Sequence, residues 1–178
     1  MPTFLLDKNV VRRAIGSLRR ISSPTPEEAT VLEFLFRAQA INAQLFISQE
    51  TVNLLKRYAS RREAQFLLSL TRVLLAAPYF RRWARRVRDE GFTREDAKVL
   101  GLATFGTTET GELLGIETIV TLDRPLIRHY ASTLPVLQKK LAAMATNLAA
   151  PFCCASLPKL STPHEALSAI EKLVINEY

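Results

Sequence analysis

Three aspartates stand where their carboxylates could meet. Asp7 directly follows the β-prone run TFLL (Thr3 to Leu6), and Asp123 follows ETIVTL (Glu117 to Leu122). Asp96 lies in the first turn of a helix that Thr93 is suited to cap. In parallel α/β sheets ligands bind outside the carboxyl ends of the strands, so all three side chains are expected at one edge. Carboxylates within a few ångströms of each other repel and raise one another's pKa unless a cation lies between them, and oxygen-only donors suit Mg²⁺ or Mn²⁺. Such an ion lowers the pKa of a bound water and neutralises charge on a leaving oxygen, which is the chemistry of phosphodiester hydrolysis. Each acid also has a plain structural role open to it: Asp7 and Asp123 as caps of the helices that follow, Asp96 as the partner of Thr93 in a cap. His129 and His164, the only two histidines, are given no catalytic part.

The elements that must position these residues alternate along the chain. After TFLL, VVRRAIGSLRR (Val10 to Arg20) reads as a basic amphipathic helix with Val11, Ile15 and Leu18 on one side. Thr25, Pro26 and Glu28 form a capping box with proline at N1, opening a helix that fades near Asn42. QLFIS (Gln44 to Ser48) is a second strand, and Ser48 caps QETVNLLKRYA. Ser60 and Glu63 repeat the capping box before AQFLLSLTRVLLA, expected to be buried as one arm of a helical hairpin. YFRRWARRVRD (Tyr79 to Asp89) is a strongly basic helix ended by Gly91. PFCCASL (Pro151 to Leu157) is expected to be a strand, with at least one of Cys153 and Cys154 buried, and Thr162, Pro163 and Glu165 open a final helix. Short strands separated by helices call for right-handed crossovers, hence an α/β fold with a parallel sheet covered on both faces. The segment from Arg124 to Ala150 exceeds one tight crossover and is expected to hold an extra helix, PVLQKKLAAMATNLAA.

Composition bounds the class. A chain of 178 residues with 48% hydrophobic and 23% charged residues fits one globular domain and excludes disordered or collagen-like architectures. Two adjacent cysteines are too few for a disulfide framework, and no stretch approaches the length of a membrane span or signal peptide, so a reducing, cytoplasmic setting is expected. The excess of 24 Lys and Arg over 17 Asp and Glu favours polyanionic partners such as RNA or DNA, although a basic surface of no special use is the plain alternative.

The segments LLDKNVV, LFISQETVNLL, GFTREDAKVLGLA and ETIVTLDRPLI resemble, in order, the motifs of the PIN-domain nucleases, including toxin ribonucleases of the VapC type. The most specific parts are Asp-x-Asn at Asp7 and Asn9, Asp-Ala at Asp96 and Ala97, and Thr-x-Asp at Thr121 and Asp123. The resemblance covers most of the chain and implies a three-layer α/β/α sandwich whose acidic pocket binds Mg²⁺ or Mn²⁺ and cleaves RNA. It implies metal-binding roles for Asp7, Asp96 and Asp123 and supporting roles for Asn9 and Thr121. Many members pair with an antitoxin protein and form homodimers. One departure stands out: the family's Glu on the helix after the second strand falls here on Leu54, or on Asn53 with a one-residue shift. Glu50, four residues earlier on the same helical face, is the substitute acid, or else a first-turn residue favoured by the helix dipole. Glu109 and Glu112, in the insertion before the third strand, are further acids whose default is a solvated loop.

Arginines complete the reading. Arg81 with Arg85, and Arg82 with Arg86, stand at i and i+4, where like charges repel and phosphate would relieve them. Arg12 and Arg13 lie near the first acidic motif and Arg124 directly follows Asp123, so these residues are candidate RNA contacts. Trp83 is either a stacking platform for an unpaired base or a core residue with Phe80 and Val87; the core role is the expected one. The leading expectation is a metal-dependent endoribonuclease using Asp7, Asp96, Asp123 and Glu50. The alternative is a degenerate module that binds RNA or a protein partner without cutting, and a DNA-directed nuclease would share the chemistry.

Overall fold

A computed structural model of the chain describes residues 1–20 and 22–175. Six strands form one sheet in the order β4-β3-β2-β1-β5-β6. They are β1 (Thr3–Leu6), β2 (Gln44–Ser48), β3 (Thr71–Ala76), β4 (Gly106–Thr107), β5 (Thr118–Val120) and β6 (Lys159–Ser161). Between and after them run helices α1 (Lys8–Arg19), α2 (Pro26–Ala40), α3 (Gln49–Tyr58), α4 (Arg61–Leu70), α5 (Phe80–Arg88), α6 (Arg94–Phe105), α7 (Arg124–Ala145) and α8 (Pro163–Ile175). β1 is central and pairs in parallel with β2 and β5, while β4 runs antiparallel to β3, so the sheet is mixed and mostly parallel.

The period-2 alternation of strand side chains divides the interior. Phe4, Leu6, Leu45, Ile47 and Val120 join one buried cluster with residues of α1, α2, α3 and α8. Leu5, Phe46, Leu74 and Ile119 point into a second, with Trp83 and Val87 of α5, Leu100 and Phe105 of α6, and Leu137 of α7. The caps anticipated from Thr25, Ser48, Ser60 and Thr93 all form. Gly91 takes the left-handed conformation at φ 86, as expected just past α5. Among the described residues no helix is long and apolar enough to cross a membrane.

Four expectations are corrected. The segment after Ser60 is no helical hairpin arm: α4 stops at Leu70 and Thr71–Ala76 pairs in parallel with β2 as β3. PFCCASL is not a strand. Phe152–Cys154 is a single 3₁₀ turn with both cysteines exposed, and the strand is the next segment, Lys159–Ser161, in register with Thr118–Val120. The sheet is not wholly parallel, because the insertion after α6 folds back as β4 onto β3. The helix expected between Arg124 and Ala150 is present with other bounds: it starts at Arg124 rather than at Pro135, and α7 runs unbroken for 22 residues with Pro135 inside it.

Gly106, where α6 passes into β4, marks a close approach. A Cβ there would stand 2.3 Å from the Leu102 carbonyl oxygen and 2.7 Å from Leu74 Cγ. Since the first obstacle is backbone, Gly106→Ala is expected to lower the unfolding free energy by about 1–3 kcal/mol. Urea unfolding should show this as a lower midpoint at an unchanged slope.

Candidate functional site

The carboxyl ends of β1 and β5 lie side by side, and a polar network ties them together. Asp7, the first residue after β1, caps α1 by accepting a hydrogen bond from the Lys8 backbone N–H at 2.7 Å on Oδ1. Its Oδ2 accepts from the Thr121 hydroxyl at 2.7 Å. That hydroxyl in turn accepts from Asn9 Nδ2 and from the Asp123 backbone N–H, each at 3.1 Å. With both acceptor positions filled, its single proton is directed at Asp7. Asn9 Oδ1 takes the Leu122 backbone N–H at 3.1 Å, and Asp123 Oδ1 caps α7 through the Leu126 N–H at 2.9 Å. Asn9 and Thr121 thus hold the loop after β5 against the end of β1 and fix the orientation of Asp7.

Asp96 arrives from the other side, on α6. The Asp96 N–H donates to Thr93 Oγ1 at 3.1 Å, and the Thr93 hydroxyl donates back to Asp96 Oδ2 at 2.6 Å. Burial is the main force pushing the Asp7 carboxyl above its ordinary value; the Thr121 and Lys8 hydrogen bonds and the Lys8 charge pull the other way, and the negative charge of Asp96 adds to the rise.

Asp7, Asp96, Asp123 and Glu50 all line one cleft of about 970 Å³. The cleft also receives Arg81, Arg85 and Arg88, spaced i, i+4 and i+7 along α5, together with Arg94 and Lys98 of α6. Two ion pairs reach α6 from the facing elements: Lys8 with Glu95, and Glu50 Oε1 with Lys98 Nζ at 2.5 Å. Acidic and basic side chains therefore line the same cleft. Leu54 is buried and forms part of the same lining.

Other candidates lie elsewhere. Arg12 and Arg13 sit on the exposed side of α1, opposite its buried Val11, Ala14 and Ile15, and Arg13 pairs with Glu27 at 2.6 Å; neither lines the cleft. Arg82, one helical step from Arg81, turns away from it, and Arg124 projects outward beside the charge of Glu165. Glu109 and Glu112 are exposed in a loop outside the cleft, so they do not supply a further acid. Trp83 is fully buried, as the core role requires. Arg88, Arg94 and Lys98 escaped the sequence reading. The i, i+4, i+7 row from Arg81 could have revealed Arg88, and the helix carrying Asp96 could have revealed the other two.

Among the described residues no group of three His, Cys, Asp or Glu side chains is drawn together closely enough to hold a metal ion unaided. The donor chemistry fits a hard cation all the same. Mg²⁺ keeps several waters and is commonly held by one or two carboxylates plus substrate phosphates, and Asp7 and Asp96 are carboxylates that line the same cleft. Comparison with protein-family models and with curated proteins finds no match for this chain.

Proposed function

We propose that the chain is a metal-dependent endoribonuclease of PIN-like three-layer architecture, acting on RNA held in the cleft at the ends of β1 and β5. The observation that carries this reading is the placement of the buried Asp7, with Asp96 and Asp123, in one cleft that Arg81, Arg85 and Arg88 also line. A Mg²⁺ or Mn²⁺ ion would be held by Asp7 and Asp96, with Asp123 lining the same cleft, and would supply an activated water and charge neutralisation at the phosphodiester. The chain's own residues do the rest. Asn9 and Thr121 keep Asp7 oriented, Thr93 keeps Asp96 oriented, and Arg81, Arg85 and Arg88 draw the RNA backbone in through its phosphates. The toxin role, with an antitoxin partner and a homodimer, belongs to the same proposal.

Calorimetric titration with Mn²⁺ tests it. Saturable uptake is expected in the wild-type chain, with affinity lowered at least about 10-fold in Asp96→Asn, the scale on which metal sites respond to loss of a supporting group. Absence of uptake in the wild type would sink the metal mechanism. A second reading, a module that binds RNA or a protein without cutting it, is favoured by two observations: Leu54 fills the position of the family's acid, and Glu50 is engaged by Lys98. RNA retained but uncut in the presence of Mn²⁺ would select that reading.

A further inference from the structure

Cys153 and Cys154 are the only cysteines in the chain, and the site described above does not use them. Both are exposed, and their sulfur atoms stand 3.7 Å apart. The turn that carries them is held in place. The backbone N–H groups of Phe152 and Cys154 donate to the Ala149 and Pro151 carbonyls, both at 3.0 Å. Phe152 packs edge-on against Tyr79, with ring centroids 5.2 Å apart. The two thiols therefore sit next to each other on a fixed turn and face solvent.

Their separation has chemical meaning. Two thiolates at about 2.3 Å from one tetrahedral ion stand about 3.8 Å apart. A direct sulfur–sulfur bond would need them at about 2.05 Å. The spacing suits a bridging atom. We propose that Cys153 and Cys154 form a vicinal dithiol chelate for a thiophilic centre of tetrahedral or pyramidal geometry, such as an organic trivalent arsenical or a Zn²⁺-like soft cation. With a monosubstituted arsenical, two As–O bonds break and two As–S bonds form. Each thiol proton leaves with a hydroxyl as water, arsenic remains trivalent, and no electrons are transferred. The inference is independent of the proposed nuclease activity.

Phenylarsine oxide is the probe. Intact-mass measurement of the reduced protein in excess glutathione is expected to show one arsenical per chain, released by 2,3-dimercaptopropanol. Cys153→Ser and Cys154→Ser should each raise the concentration needed for half-loading by at least about 100-fold, because the second sulfur acts at high effective concentration. The same chain unfolded in guanidinium chloride should load less tightly than the native one, since the turn no longer sets the spacing. The proposal is overturned if the wild type does not load, if either serine variant retains the adduct against glutathione, or if native and unfolded chains load equally well.

Discussion

Asp7→Asn is expected to reduce Mn²⁺-supported RNA cleavage by at least about 100-fold, the scale on which removing one charge-stabilising group from an active site acts. Asp7 is singled out because it is the buried acid of the set, receives hydrogen bonds on both oxygens, and senses the charge of Asp96. Asparagine keeps the shape and can still accept from the Lys8 N–H, but its amide nitrogen cannot accept from Thr121. Loss of that bond costs about 1 kcal/mol, too little to unfold a typical domain, so circular dichroism should show the fold intact. Cleavage within a few-fold of wild type would remove Asp7 from the chemistry and overturn the proposed mechanism.

The same variant carries a pH signature. Burial holds the Asp7 carboxyl above its usual range, so folding favours its neutral form. That contribution to stability is present in full below the ordinary aspartate value of about 3.9 and is lost as pH rises through the raised value in the folded chain. Relative to Asp7→Asn, the wild type should therefore gain stability at about pH 4 and lose it at neutral pH. Mn²⁺ should return the lost stability to the wild type alone, through binding to the native state. A stability difference that does not change with pH would show that the fold places no strain on the Asp7 charge.

The legibility of this architecture in the sequence depended on how much local chemistry each element carries. β1 and β2 stand at the bounds their apolar runs suggested, because both are central strands with several buried side chains, and a helix cap marks each end: Asp7 directly after β1 and Ser48 as the last residue of β2. β3 was hidden. Only Leu74 of its six residues is buried, and the apolar run that begins in α4 continues into it with no glycine or proline to mark the boundary. β6 is shorter still, and its place is set by pairing with β5, a non-local cause that KLS cannot announce. At the site, Asp7 and Asp123 could be located because each follows a strand, and Asp96 because Thr93 begins its helix. What could not be read was rotational phase across elements: that Arg81 and Arg85 face the acids while Arg82 does not, and that Lys98 reaches Glu50.

That rotational phase depends on Trp83, and Trp83→Ala is expected to cost about 3–5 kcal/mol of stability, a large share of what a domain of this size has. The indole is fully buried where α5 meets α6, and its Nε1–H donates to Thr104 Oγ1 at 3.1 Å. The Thr104 hydroxyl passes its own proton to the Leu100 carbonyl at 2.8 Å, which locks its oxygen toward the indole. Packing and polar effects separate by substitution. Thr104→Val keeps the volume but leaves the indole N–H without its acceptor, and should cost about 1–3 kcal/mol. Trp83→Phe removes the donor and part of the ring together and should fall between that variant and alanine. Urea unfolding of the three variants measures the series, and a loss below about 1 kcal/mol for Trp83→Ala would mean that the helices close over the gap. Because Trp83 alternates along α5 with the arginines that face the cleft, a chain that survives its loss should also show weakened RNA binding. The buried anchor and the cationic row are two faces of one helix, and α5 cannot turn to relieve the first without misdirecting the second.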